Sequence, residues 1–352
     1  MGKPDNIKDG GMFWVERPAP VSHLEDVAHL EDPTERPDYF EWWYFDATTD
    51  SGERIVYEFH YSNFFLSPRI PSLLLQIRTP DGKVLSKGHM FRGGWQSEGR
   101  VSASSTQVDV RFGDRGFVRG TYPVYQVSME HETIGANLKF QFATPGWKAP
   151  KDVWFPLAFY DEATKDEFSH LIMPDADVEG EIRVGSKVTS VRGKGYHDHQ
   201  WGNIAFRDVI SHWYWGRAIS GDRKLCFMSS GRAPDGDRYP EEVNGLLVVD
   251  KGQIMLATNQ VRFRPSDFVF DDLTDKDIPH TLQFRTEPEG RSTNVDAKIR
   301  IREISGKSNF QFRSKHLRAY LRLIGECEAT INIKGESSRF EGDAIVGDMF
   351  FH

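Results

Sequence analysis

Turn signals punctuate this chain roughly every 8–14 residues, and the stretches between them are short and alternate apolar with polar. That rhythm leaves little room for long helices and suits antiparallel strands joined by hairpins, so the expected fold class is all-β, a sandwich or barrel. Residues 39–65 read as a strand, a turn over Thr48–Arg54 and a second strand. Residues 72–91 repeat the pattern around Asp81-Gly82, a pair that favours a tight hairpin. Residues 106–144 hold four more candidate strands, and residues 177–203 hold a strand, a Gly-Ser turn and a glycine-flanked segment. The texture continues through "HWYWGRAIS", "KLCFMSSGR" and "NGLLVVDKGQIMLAT" to the last run, "SRFEGDAIVGDMFF". Two places, Ser67–Ile77 and Ser266–Ile278, have room for a helical turn.

A length of 352 residues predicts two domains. Prolines 4, 18, 20, 33 and 37 interrupt a polar stretch and mark residues 1–37 as an irregular arm. All nine Trp fall within the first 215 residues, a shift that puts a boundary near residue 207. The expected organisation is an arm over 1–37, an N-terminal β domain over 38–207 and a C-terminal β domain over 208–352. Lys+Arg number 44 against 52 Asp+Glu, a net charge of −8 that argues against a nucleic-acid partner. Aromatics reach 13%, which suits sheets around apolar cavities. The first residues carry no apolar core of a signal peptide, and no apolar run is long enough to span a membrane. The simplest expectation is a cytoplasmic protein with reduced thiols, although pairing of Cys226 and Cys327 stays open.

Chemistry concentrates in Gly195-Tyr196-His197-Asp198-His199-Gln200-Trp201-Gly202-Asn203. In an extended strand His197, His199 and Trp201 share one face, while Asp198 and Gln200 take the other. Three readings stay open. His-x-His can ligate a metal, with Glu41, Glu58 or His60 as a distant third ligand. An Asp among imidazoles can tune a proton donor near neutral pH. The same residues can also be a hydrogen-bonded core at a domain junction. A second string, Glu41-Trp42-Trp43-Tyr44-Phe45-Asp46, puts Glu41 and Trp43 on one strand face. A carboxyl against an indole is a candidate buried acid or a rim residue beside packed aromatics. No phosphate-binding glycine loop, Walker string or nucleophile elbow is present, so the toolkit is carboxylate, imidazole, phenol and indole. It suits protonating or folding an apolar small molecule.

"EWWYF", "GYHDHQWGN" and "WYWGRA" together resemble the hydroxyneurosporene synthase family, which includes carotenoid 1,2-hydratases, fungal kievitone hydratase and decalin-forming Diels–Alderases. The resemblance covers roughly residues 38–350 and implies two tandem lipocalin-like β domains with a ligand pocket between or within them. It implies chemistry without a metal or cofactor. It points to Asp198, His199 and Glu41 as catalytic candidates, with Trp43, Trp201 and His197 beside the substrate. Tyr214, Trp215 and Arg217 enter through the third string. Three functions follow as expectations. One is a lyase or cyclase that hydrates or cyclises a double bond of an isoprenoid or polyene in secondary metabolism. Another is a pericyclase that folds a linear polyene. The third is a carrier of a lipid or terpenoid.

Overall fold

A computed structural model of the chain describes residues 11–29, 39–62, 70–91, 101–151, 157–204, 206–233, 241–287, 291–309 and 318–351. The fold is all-β and lipocalin-like: two antiparallel sheets, each curled into a half-barrel. The chain divides into two compact units. The N-terminal unit takes residues 19–149 and 166–204, and the C-terminal unit takes 1–18, 150–165 and 205–352. Parts of the expected arm, residues 1–10 and 30–37, lie outside the described residues.

Strands are numbered along the chain. β1 (Trp14–Glu16) belongs with the C-terminal unit. The N-terminal unit continues with β2 (Phe40–Thr49), β3 (Arg54–Ser62), β4 (Ser72–Arg78) and β5 (Val84–Met90). Then come β6 (Val101–Ala103), β7 (Val108–Phe112), β8 (Gly116–Thr121), β9 (Val124–Glu130), β10 (Ile134–Phe142) and β11 (Trp147–Lys148). β12 (Ala158–Tyr160) falls in the segment assigned to the C-terminal unit, and a long hairpin of β13 (Glu167–Val184) and β14 (Lys187–Gly202) completes the N-terminal unit. The sheet runs β5-β4-β3-β2-β14-β13-β10-β9-β8-β7-β6, which puts β2 and β14 side by side at its centre.

The C-terminal unit holds β15 (Ile210–Ser220), β16 (Arg223–Arg232), β17 (Glu242–Asp250), β18 (Gln253–Thr258) and β19 (Val261–Asp271). It ends with β20 (Lys276–Thr286), β21 (Asn294–Asn309), β22 (Ala319–Ile333) and β23 (Glu336–Phe350). Its order is β1-β18-β17-β16-β15-β23-β22-β21-β20-β19.

Alternation explains most strands. In β7, Val108, Val110 and Phe112 point inward, while Asp109 and Arg111 pair on the solvent side at 2.8 Å. β2 and the end of β14 depart from this pattern, because both of their faces are buried. A strand covered on both sides reads as a near-continuous apolar run, hence "FEWWYF". The inner faces fill one core with Trp43, Phe45, Tyr57, Phe59, Leu138 and Phe140.

Of the two places with room for a helical turn, the described part of the first is extended, whereas the second runs from a strand into a turn over 272–275 closed by the Asp275 N–H on the Asp271 carbonyl at 2.9 Å; residues 67–69 lie outside the described residues. Ser72–Arg78 is β4, with Leu73, Leu75 and Ile77 buried in a row. Ser266–Asp271 finishes β19, whose Phe268, Val269 and Phe270 stand exposed. Cross-strand pairing overrides weak local helix signals there.

Cys226 and Cys327 are buried free thiols. Their strands, β16 and β22, are separated by β15 and β23. Three steps of about 4.8 Å put them roughly 14 Å apart, twice the reach of a disulfide.

Candidate active site

The register at the centre of the N-terminal sheet assembles the motif residues. Across β2 and β14, Glu41 faces Trp201, Trp43 faces His199 and Phe45 faces His197. Across β13 and β14, Leu171 faces His199 and Met173 faces His197. Directly opposed residues share a face, so these eight side chains line the inner side of the sheet. The rings stack: Trp43 on His199 at 4.2 Å, and Phe45 on His197 at 4.0 Å with planes 7° apart.

The fourth polar member comes from the arm. Ser22 accepts from the backbone N–H of Leu24 and caps a short 3₁₀ turn, His23–Asp26. The backbone N–H of Val21 donates to the Gly146 carbonyl at 2.9 Å, and the Trp43 indole donates to the Asp26 carbonyl at 3.2 Å. These contacts aim the Asp26 carboxylate at both imidazoles. His197 Nε2 lies 3.1 Å from each Asp26 oxygen, and its Nδ1 lies 2.8 Å from the Tyr44 carbonyl. His199 Nε2 is 3.0 Å from Glu41 Oε1, and its Nδ1 is 3.3 Å from Asp26 Oδ1, an ion-pair contact off the hydrogen-bond line. Glu41 also accepts from the Tyr39 hydroxyl at 2.7 Å and from the His29 backbone N–H at 2.8 Å.

All four ionisable groups are 0–1% exposed. Burial alone would raise the Asp26 carboxyl pKa, but the charge and hydrogen bonds of His197, with the His199 ring close by, hold it far below its ordinary value. Burial opposes the charged form of His199, yet its contact with Asp26 and its hydrogen bond to Glu41 win and raise its pKa. Burial, then the Asp26 charge, pushes the Tyr125 phenol up. The network is thus two carboxylates holding two imidazoles, each ring nitrogen facing an oxygen.

At the rim, His29 stacks on Trp201 with centroids 3.8 Å apart, and Lys148 Nζ lies 5.2 Å from the same indole. Packing of the His29 ring and the charge of His199 lower its pKa. A cavity of about 230 Å³ adjoins the network, lined by Asp26, Tyr122, Leu171 and Met173 with the Pro20–Ser22 backbone region and Pro145-Gly146. Asp26 is the one charged side chain among those lining residues.

Glu41, Trp43, His197, His199 and Trp201 are therefore brought together. Asp198 is on the opposite face, where Gln200 donates to it at 3.0 Å and His170 Nε2 lies 3.7 Å away. Tyr214, Trp215 and Arg217 are on β15 of the C-terminal unit; Tyr214 packs against Phe263 in that unit's core. Among the described residues, no group of three or more His, Cys, Asp or Glu side chains is arranged to hold a metal ion. Asp26, Tyr39 and His29 escaped the sequence reading. Ser22-x-x-Glu25, spelled like a capping box, was the available sign that the arm contains an ordered turn.

No family model matches the chain. A quinolone epoxide rearrangement protein from Penicillium thymicola is 25% identical over 53% of this chain and 48% of its own length. A hydroxyneurosporene dehydrogenase from Chlorobaculum tepidum is 26% identical over 52% of this chain and 54% of its own. The chain thus spans about half the length of the curated relatives it matches. Among solved structures, an AttH protein from Nitrosomonas europaea superposes with a TM-score of 0.65 at 16% identity, covering 92% of this chain and 98% of that one. Kievitone hydratase from Nectria haematococca does so with a TM-score of 0.57 at 14% identity, covering 88% of each chain.

Proposed function

We propose that the chain, which is similar to hydroxyneurosporene dehydrogenase, a carotenoid 1,2-hydratase and quinolone epoxide rearrangement proteins, is an enzyme that moves a proton on an apolar small molecule. The reaction is hydration or cyclisation of a carbon–carbon double bond in an isoprenoid or polyene on its way to a secondary metabolite. One observation carries this reading: His199 sits between Glu41 at 3.0 Å and Asp26 at 3.3 Å, and Asp26 also lines a cavity.

Two carboxylates raise the His199 pKa above its ordinary value and so favour the charged ring, which can act as an acid. Its proton passes through Asp26 to the alkene, and a carbocation forms beside the Asp26 carboxylate, whose charge stabilises it. Water adds to that cation and returns a proton through Asp26 to His199. In a cyclisation, a second double bond adds instead, and the cyclic cation gives a proton back to the Asp26 carboxylate as its new double bond forms. Trp43 and Trp201 fix the imidazole plane from the sides. A cavity of 230 Å³ falls below the roughly 300–1,000 Å³ that encloses a drug-sized ligand, so it takes a terminal unit of a longer chain. The same acid would also open an epoxide by protonating its oxygen, the chemistry named by the rearrangement relatives.

The test is turnover of linear isoprenoids and polyenes in heavy water. A proton mechanism puts deuterium on product carbon, and His199→Gln lowers the rate by about 10²-fold or more. Asp198→Asn, changed on the far face, keeps most of it. Product without deuterium would mark a Diels–Alderase-type pericyclase, and ligand recovered unchanged would mark a carrier; either overturns the reading.

A further inference from the structure

The C-terminal unit contains a polar row that the proposed chemistry does not use. Asn244, Ser229, Tyr214 and Asp348 are directly opposed on four adjacent strands, β17, β16, β15 and β23. Opposed residues share a face, and Tyr214 fixes that face as the one lined by the unit's apolar core. The row is buried: Asp348 is 0% exposed, Ser229 1%, Tyr214 4% and Asn244 9%. Leu321 faces Asp348 from β22, and Tyr214, Phe263, Phe227 and Phe284 form a chain of ring contacts beneath.

Two members have unspent hydrogen-bonding capacity. Neither carboxyl oxygen of Asp348 has a partner among the described residues. The Asn244 amide donates to Glu242 at 2.6 Å and to the Val261 carbonyl at 2.8 Å, which fixes its orientation and leaves its Oδ1 unpartnered. Buried polar groups in native proteins are nearly always paired, so an aligned row with two exceptions calls for a missing partner. Burial raises the Asp348 pKa well above its ordinary value, which favours the neutral, proton-bearing carboxyl. A neutral carboxyl beside a phenol is a pair of hydrogen-bond donors in apolar surroundings, the arrangement that grips a carbonyl oxygen.

We propose that the interior of the C-terminal unit is a second ligand site, taking an apolar molecule whose carbonyl oxygen is held by Asp348 and Tyr214. The site stands apart from the Asp26–His199 network and does not depend on its chemistry. Asp348 and Tyr214 orient the ligand; the aromatic chain accommodates its body.

The probe is Nile red, a neutral apolar dye with one ring carbonyl, whose emission moves to the red when that oxygen is hydrogen-bonded. The full chain should bind it saturably. Asp348→Leu should weaken binding about tenfold and shift the bound emission to the blue, and Tyr214→Phe should do the same to a smaller extent. Asp348→Leu should also raise the melting temperature, because a buried unpaired group is removed. Asp348→Asn serves as an isosteric companion that preserves packing. A change in the other unit, Leu171→Trp, should leave dye binding unaltered. Absence of saturable binding, emission indifferent to both Asp348 variants, or a fall in melting temperature in Asp348→Leu would each overturn the proposal.

Discussion

Replacing Asp26 with Asn keeps the shape of the side chain and removes the charge that two imidazoles face. At 3.1 Å and an effective dielectric constant of about 20, the Coulomb attraction to His197 alone is about 5 kcal/mol. The amide still hydrogen-bonds, so the loss should settle near ~3 kcal/mol, the lower end for breaking a buried ion pair. For a unit of this size that lowers the melting temperature by roughly 6–12 °C. The pH profile is more diagnostic. The folded pKa of Asp26 lies below its ordinary 3.8, so its stabilisation is full above that value and drains away as pH falls through the folded pKa. That of His199 lies above its ordinary 6.5, so its share is full below 6.5 and is lost as pH rises through the folded pKa. The network therefore stabilises most between about pH 4 and 6.5. Asp26→Asn should flatten the acid limb and move the alkaline limb down toward 6.5. Urea unfolding at a series of pH values from 2 to 9, followed by tryptophan fluorescence, measures both limbs. A variant within 1 kcal/mol of the parent at pH 6, with the same profile, would refute the charge pairing.

Other outcomes follow from the packing. A Cβ at Gly193 would sit 2.1 Å from the Thr48 carbonyl oxygen and 2.6 Å from Thr49 Cα. Because both atoms are backbone of β2, Gly193→Ala should force β2 and β14 apart and cost about 2–3 kcal/mol in denaturant titration. Gly185, at a positive φ with nothing within 4 Å, is the contrasting position: an Ala there should cost about 1 kcal/mol, from backbone strain alone. Thiol titration with an aromatic disulfide should find no fast-reacting cysteine in the native chain and two in denaturant. Burial pushes the Cys327 thiol up to about 12, and both sulfurs are enclosed.

The strand period was enough to read that His197, His199 and Trp201 share a face and that Asp198 does not. It also put Glu41 beside Trp43. What it could not supply was the pairing of those two faces, since Glu41 and His199 are 158 residues apart and local patterns carry no long-range register. Asp26 was hidden for another reason. It lies in a proline-broken stretch with no hydrophobic period, and its burial depends on contacts with Trp43 and Gly146 that tertiary packing creates. The polar row of Asn244, Ser229, Tyr214 and Asp348 was hidden in the same way: each residue looks ordinary in its own strand. The long β13–β14 hairpin, by contrast, was announced by Gly185-Ser186 between two alternating runs.

The stretch between Trp14 and Asp26 serves both units, as an edge strand for one and a charge for the other. Trp14 pairs with Thr258, and Asp26 waits for His197, 171 residues further on. At about 5–20 residues per second on the ribosome, Asp26 emerges some 9–34 s before its partner. Throughout that interval its carboxylate stays hydrated and the arm idle. The imidazole–carboxylate centre thus closes as one of the last events of the N-terminal unit's synthesis. Its formation then marks the pairing of β2 with β14 beneath the arm.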